Sequence, residues 1–291
     1  MMRNPSRLPP KTRAILFMIA AIFCLTSMDA VVKSLSGRYE IFQLVWIRYA
    51  GQMVLASLLV WRQLGWRVRT RSPGIQFLRS TFLLVGTVCF FIGFSNIDLA
   101  AATAILMMNP VFIAAGAYFV LGERLGWRRM LGVFAGLAGA MIIIRPGTAV
   151  FSPYALFPLA AAISYSAYAI TTRFLSRSED ITSSFFFTTI LGAVLATAIV
   201  PFYWTIPAVG DLLPMTVLAL LGTAGQYLMI RALFLAEASV VAPFGYLGLI
   251  YSAFYGMIFF AEFPDLWTIL GAIVVVASGL YIWFRETSRT G

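Results

Sequence analysis

The chain contains no histidine and only two cysteines. Without imidazole there is no histidine ligand for haem or zinc, and no Ser-His or Cys-His pair to serve as nucleophile and base. Cys24 and Cys89 both fall inside apolar runs and no CxxC spacing occurs, so they read as small packing residues. Charge is scarce as well: 11% of the 291 residues are charged, against about 25% in a soluble domain. No GxxxxGK[ST] loop is present and no connection is long enough to house a nucleotide-binding domain, which argues against direct ATP drive. No cofactor is expected.

What is present is apolar: 61% of the residues are hydrophobic, with a mean hydropathy of +0.90. Runs of the length needed to cross about 30 Å of hydrocarbon recur along the chain. Ten are read, roughly 14 to 34, 42 to 61, 75 to 96, 99 to 121, 129 to 145, 151 to 173, 183 to 204, 212 to 235, 239 to 260 and 266 to 284. Their length and their leucine, alanine and phenylalanine content predict an all-α integral membrane protein with ten transmembrane helices, since barrel strands would be about ten residues long with a period of two. The basic head before the first run imitates a signal peptide, but no small-residue cleavage site follows and nine further runs do, so the first run is kept as a helix.

The net charge of +10 is explained by position. With the N-terminus in the cytoplasm, Arg3, Arg7, Lys11, Arg13, Arg62, Arg67, Arg69, Arg71, Arg124, Arg128, Arg129, Arg173, Arg177, Arg285 and Arg289 gather on the inner side. Only Arg38 and Arg145 remain outside, with Lys33 near them. That asymmetry predicts both termini in the cytoplasm. It assigns the basic balance to topology and the lipid bilayer, with no nucleic-acid partner.

The chain also repeats itself. At an offset of 140, Leu16, Phe17, Ala20 and Ala21 lie over Leu156, Phe157, Ala160 and Ala161, and Leu35, Ser36, Ile41 and Val54 lie over Leu175, Ser176, Ile181 and Val194. At an offset of 139, Gly86 meets Gly225, Glu123 meets Glu262, and Leu131-Gly132 meets Leu270-Gly271. Two homologous halves are predicted, 14–145 and 151–284, hinged near "RPGTAVFSP". Each holds five helices, and an odd number turns the second half upside down relative to the first. Such inverted repeats place a substrate site between the halves and open it alternately to each side.

Ten spans in a five-plus-five inverted repeat, "GERLGWRRMLGVFAGLAGAMIIIRPG" closing the first half, "AEFPDLWTILGAIVVVASGLYIW" closing the second, and "VWIRY" in the second helix resemble an EamA-type member of the drug/metabolite transporter superfamily. In the second copy Ala261 replaces the glycine before Glu262. The resemblance implies secondary transport of small organic solutes, with the third, fourth, eighth and ninth helices and parts of the first and sixth around a central cavity.

Charges inside apolar runs are the first site candidates, because a charge near the bilayer centre costs roughly 2.5 to 3.5 kcal/mol. Asp29 lies about six residues before the outer end of the first helix and Arg48 about seven after the outer start of the second. At 1.5 Å per residue both sit roughly 10 Å deep, so an Asp29 to Arg48 ion pair is expected, acting as a gate or as a pin for the hairpin. Lys33, one turn from Asp29, would snorkel outward or share the aspartate. The repeat keeps the cation, Arg173 under Lys33, but puts Ala169 and Thr188 under Asp29 and Arg48. Nearer the midplane the polar candidates are Thr87, Asn109 before Pro110, Ser164, Tyr165, Ser166, Gln226 and Tyr227. Asn109-Pro110 can interrupt its helix and free carbonyls for a ligand, or simply kink it. Arg231 is expected to snorkel or to bond Glu237. Tyr246, Tyr251 and Tyr255 in the ninth helix, near Gln226 and Asn109, would suit a flat, partly polar cargo. Gly132, Gly136 and Gly139 predict close helix packing, within the protomer or in a homodimer.

The reading is a secondary transporter of a small organic metabolite in the cytoplasmic (inner) membrane, inclined toward uptake of a planar nutrient such as riboflavin. Within the family it resembles, amino-acid export and S-adenosylmethionine transport are the alternatives. A membrane-embedded enzyme would need a convergent nucleophile set, which the sequence does not show. A polytopic sensor would need no polar cavity.

Overall fold

The computed structural model describes residues 9–64, 70–109, 111–113, 116, 127–145, 151–175, 181–236 and 241–290. Pro110, Glu123, Glu237 and residues 146–150 of the expected hinge lie outside them, as does the side chain of Arg173. The described residues form helices and no strand: α1 Pro10–Leu35, α2 Ile41–Leu64, α3 Pro73–Asn96, α4 Leu99–Leu106, α5 Trp127–Ile144, α6 Leu156–Leu175, α7 Ile181–Ile199, α8 Leu212–Leu235, α9 Leu247–Phe259 and α10 Leu266–Thr290. Pro10 and Pro73 open α1 and α3, where a fixed φ suits the first turn and the missing N–H would have had no partner. Asp265 opens α10 differently, its Oδ1 accepting the Thr268 N–H at 2.9 Å. Burial pushes the Asp265 carboxyl up, but the bonds from Thr268 and the Arg145 cation outweigh it and hold the group below the usual carboxylate range.

The outside of this bundle is as greasy as its inside. Val54, Phe134, Ile250 and Phe284 are among the large apolar side chains that face outward, an arrangement that a water-soluble surface does not sustain over so many residues. Six helical segments are long and apolar enough to cross a bilayer: Pro10–Leu35, Ile41–Arg62, Pro73–Asn96, Pro153–Thr172, Thr182–Tyr203 and Val209–Leu235. Four more apolar stretches, Leu99–Ile113, Phe134–Ile144, Phe244–Phe259 and Leu266–Tyr281, are shorter. Six of the ten expected spans are met by helices long enough to cross; at the other four the described residues show only shorter apolar stretches. The protein is a multi-pass membrane protein.

Each helix leans chiefly on a partner from the other half of the chain. α1 packs on α8, α3 on α6, α2 on α7, α4 on α9 and α5 on α10. Small residues make the crossings close, since lipid tails offer no hydrophobic drive between helices and tight contact must supply the attraction. A Cβ on Gly86 of α3 would fall 2.6 Å from the ring of Tyr165 in α6, and one on Gly225 of α8 would fall 2.7 Å from Cγ of Leu25 in α1. These are repeat-equivalent contacts, since Gly86 matches Gly225 and Leu25 matches Tyr165. Gly136 and Gly139 are taken up inside the protomer against Val111, Ser278 and Val275.

One end of the bundle is tied by ion pairs. Lys33 Nζ meets Glu262 Oε1 at 2.5 Å and donates to the carbonyls of Phe94 at 2.8 Å and Ile97 at 2.6 Å. Glu262 Oε2 accepts the Leu99 N–H at 2.9 Å. Arg38 and Tyr39 both bind Asp211, the guanidinium at 2.7 Å and the phenol at 2.8 Å, and Arg145 pairs with Asp265. Lys33 neither snorkels nor shares Asp29; it binds the α3–α4 and α9–α10 connections to α1. Ala261 sits in the left-handed region at φ 53°, which turns Glu262 back so that its N–H reaches the Gly256 carbonyl at 3.0 Å. That conformation favours glycine, the residue found before the matching Glu123.

Candidate functional site

α2 carries a polar face into the bundle. Arg48 is 3% exposed and Gln52, one turn further, is fully buried. Arg48 Nη1 donates to Thr87 Oγ1 at 3.1 Å, and its guanidinium lies 5.7 Å from the Tyr49 ring centroid and 5.8 Å from that of Phe91. Thr87 gives its own proton to the Leu83 carbonyl at 2.8 Å and accepts the Tyr165 hydroxyl at 3.4 Å, which uses one donor and two acceptor sites in full. Arg48 Nε, the Tyr49 hydroxyl and both amide atoms of Gln52 are buried without a hydrogen-bond partner. A buried polar group left in that condition costs about 1 to 3 kcal/mol.

Asp29 and Arg48 do not pair as expected. Arg48 is near enough for its charge to act on Asp29, yet among the described residues no ion pair within 4 Å joins them, and Arg48 is turned to Thr87 instead. A matching depth counted along two helices does not fix rotation about either helix axis.

α6 gathers the remaining candidates through three neighbouring side chains. Tyr165 reaches Thr87. Ser166 Oγ has its shortest acceptor in the Ala162 carbonyl at 2.7 Å and stands 3.0 Å from the carbonyl oxygen of Asn109 and 3.3 Å from its Oδ1. Tyr168 accepts from Gln226 Nε2 at 3.1 Å, with the guanidinium of Arg79 5.5 Å from its ring centroid. Tyr227 is not part of this group. It faces α7, its ring 5.7 Å from that of Phe185, and its hydroxyl accepts from Arg231 at 3.0 Å. Arg231 thus bonds Tyr227 and lies over Phe17, while its other expected partner, Glu237, is outside the described residues. The hydroxyl of Tyr246 is buried and unpartnered. Tyr49, Gln52, Tyr168 and Arg79 were not singled out from the sequence. The signal that points to two of them is helical spacing: Gln52 stands four residues after Arg48, and Tyr168 three after Tyr165.

Two helices break at matching positions. α4 ends at Leu106, turns through Met107 and Met108, and resumes at Asn109. The 3₁₀ turn Ala242–Tyr246 passes into α9 at Leu247, and Tyr246 is the offset-139 partner of Met107. The interruption expected at Asn109-Pro110 therefore lies two residues earlier, and Pro110 itself is outside the described residues. The breaks meet: a Cβ on Gly248 would lie 4.0 Å from Met107 Cε and 3.6 Å from Thr26 Oγ1 of α1. Broken backbone inside a membrane is tolerated only where protein or a cavity takes up its freed polar groups. A groove of about 410 Å³ is lined in part by Leu78, Phe82, Phe112, Ile163, Ser166 and Phe174; Leu78, Ile163 and Phe174 face outward, so it opens on the side of the bundle, and it shares Ser166 with the polar group.

An apolar helical bundle with matched helix breaks beside an internal polar cluster defines a polytopic membrane protein built to handle something at its centre. The chain belongs to the EamA-like transporter family, whose model matches it twice, over residues 12–145 and 152–284. Similar proteins include an S-adenosylmethionine uptake transporter of Rickettsia felis, 27% identical over 258 residues, 89% of this chain and 88% of that one. A pseudopaline exporter of Pseudomonas aeruginosa is 29% identical over 273 residues, 91% and 93% of the two chains. A riboflavin transporter of Rhizobium johnstonii is 30% identical over 245 residues, 82% and 80%. One solved crystal structure, 18% identical, superposes with a TM-score of 0.62 over 93% of this chain and 96% of its own, a likeness of fold. The relatives are transporters of the drug/metabolite superfamily.

Proposed function

We propose that the protein is a secondary transporter that carries a small organic metabolite across the cytoplasmic membrane by alternating access. In this reading ten spans form two inverted five-helix repeats, 14–145 and 151–284, with both termini in the cytoplasm. The observation that carries it is the meeting of two helix breaks at repeat-equivalent positions beside a buried polar cluster. The pairing of α1 with α8 and α3 with α6, while α2, α4 and α5 pair with their own counterparts, is what a two-fold relation between the halves produces. In this reading the arginine asymmetry sets the ion-paired end on the outer side.

For cargo, uptake of a planar nutrient such as riboflavin draws support from the Gln226–Tyr168 bond, which sets an amide beside an aromatic ring, and from the riboflavin-transporting relative. A second reading, an S-adenosylmethionine transporter or an amino-acid or metabolite exporter, is favoured by the unpaired state of Asp29 and Arg48, and other relatives are named for S-adenosylmethionine uptake and for pseudopaline export. An enzyme is not proposed, since the polar cluster presents no nucleophile beside a base.

Proteoliposomes holding the full chain and a labelled panel of riboflavin, S-adenosylmethionine and L-amino acids test the reading. Saturable movement of a panel member is expected, and an absence of movement for every member would count against it. Reporter fusions after Arg71, Arg129 and Arg289 are expected to report cytoplasm and a fusion after Asp98 the outside. A cytoplasmic signal at Asp98 would defeat the ten-span topology.

A further inference from the structure

We propose that the groove between α3, α4 and α6 is a binding site for one anionic phospholipid, whose acyl chain lies along it from the inner end of the bundle toward the break in α4. The site goes beyond the transporter reading, and only its assignment to the inner leaflet rests on the topology proposed above.

Three helix faces build the groove. On α6, Ile163, Ala167, Ile170 and Phe174 fall on one stripe at helical spacing, and α3 adds Leu78 and Phe82 one turn apart. Phe112, on the resumed part of α4, supplies the third wall. A Cβ on Gly86 would meet Tyr165 and one on Gly93 would meet Pro158, so α3 and α6 run antiparallel and Leu78 stands level with Phe174. The groove therefore follows the helix axes. From Ile163 to Phe174 is eleven residues, a rise of about 16 Å, close to half of the roughly 30 Å of hydrocarbon. That is the depth of one leaflet and the reach of one acyl chain.

The lining suits a chain of methylenes. Its hydroxyls are spent on their own helix, Ser166 reaching the Ala162 carbonyl at 2.7 Å and Thr171 that of Ala167 at 2.8 Å. A polar solute would lose its hydration there and gain no donor in return. Leu78, Ile163 and Phe174 are each about half exposed, so the rim is continuous with the lipid-facing surface and a chain enters sideways from the bilayer. The space of about 410 Å³ would hold several waters at about 30 Å³ each, but the walls give them no partners. Lipid is the filling at hand.

The headgroup is read from the end at which the groove begins. Phe174 is one residue from the end of α6, and Leu78 is five beyond the start of α3. By sequence position Arg173 and Arg177 flank that end of α6, and the exposed Arg71 stands two residues ahead of Pro73. Basic residues at a membrane surface attract anionic lipids, whereas a zwitterionic headgroup brings no net charge to answer them. Toward the other end Ser166 Oγ lies 3.0 Å from the Asn109 carbonyl oxygen, so the tail of the chain comes to rest where α4 is interrupted.

Native mass spectrometry of the full chain, stripped of lipid and then mixed with phosphatidylglycerol or phosphatidylcholine of the same chains, tests the site without any transport assay. One phosphatidylglycerol is expected to be retained about tenfold or more above phosphatidylcholine, since each basic residue near the surface carries a factor of about five. Ala167→Phe, which fills the groove, should remove that preference, and Ile163→Trp at the rim should do the same where Ala167→Phe does not fold. Phe134→Trp, on the outward face of α5, should keep it. Phosphatidylglycerol with a diazirine on its acyl chain should label the wild-type protein within Leu78–Phe82 and Ile163–Phe174. Equal retention of the two lipids, or labelling spread evenly over the helices, overturns the proposal whether or not the variants fold. A dimer that falls to monomer when the groove is filled would assign the groove to a second copy of the chain and overturn it as well. Each of these failures leaves the transporter reading untouched, because none of the measurements involves cargo.

Discussion

Replacing Lys33 with methionine is expected to destabilise the protein by about 3 to 5 kcal/mol, the cost of stranding one member of a buried ion pair. The lysine and glutamate side chains are 10% and 16% exposed, and the ammonium spends all three of its protons, on Glu262 and on the carbonyls of Phe94 and Ile97. Methionine keeps the bulk and removes every one of these bonds. Glu262 is then left with the Leu99 N–H alone. Because the penalty comes mostly from the stranded carboxylate, the double variant Lys33→Met, Glu262→Gln should recover more than half of the loss. Equilibrium unfolding in mixed detergent and lipid measures both. A single variant as stable as the wild type would mean that this end of the bundle is held by packing and the other two ion pairs.

The second large effect is steric. Gly86→Ala is expected to lower transport about tenfold or more and to destabilise by about 1 to 3 kcal/mol, the usual cost of overfilling a packed crossing. The new methyl would stand 2.6 Å from two ring carbons of Tyr165. A ring packed between helices cannot swing aside as a chain end can, so α6 or the tyrosine must move and the hydroxyl leaves Thr87, on which Arg48 depends. Gly225→Ala meets Leu25 at 2.7 Å, a more adaptable side chain away from the polar group, and should cost stability with less loss of transport. Gly74→Ala has nothing within 4 Å and serves as the neutral control. Wild-type rates in Gly86→Ala would show that the Tyr165, Thr87 and Arg48 arrangement has no functional weight.

The sequence revealed the helices and the repeat because both are periodic properties of apolar residues, and the Gly86 and Gly225 match found by sliding the chain reappears as equivalent contacts on Tyr165 and Leu25. It did not reveal partners. Lys33 finds its ligands at Phe94, Ile97 and Glu262, sequence-distant positions that only the crossing of α1, α3 and α9 brings together. Asp29 and Arg48 count to matching positions in their helices, yet Arg48 turns to Thr87. Tyr227 follows Gln226 directly, and one step along a helix is a turn of about 100°, enough to send one side chain to α6 and the other to α7. Gln52 stands one turn beyond Arg48, but an uncharged amide carries no mark in the sequence of whether it will find a partner, and here both its polar atoms are buried without one.

The pairing of every helix with one from the other half also has a bearing on biogenesis. When the ribosome has released the first half, α1, α2 and α3 can lie in the bilayer, but the faces meant for α8, α7 and α6 still touch lipid or each other. Tertiary assembly therefore waits for the second half, and membrane insertion and folding are separated in time for this chain. During that interval Arg48 can already reach Thr87 within its own half, whereas Lys33 still lacks Glu262.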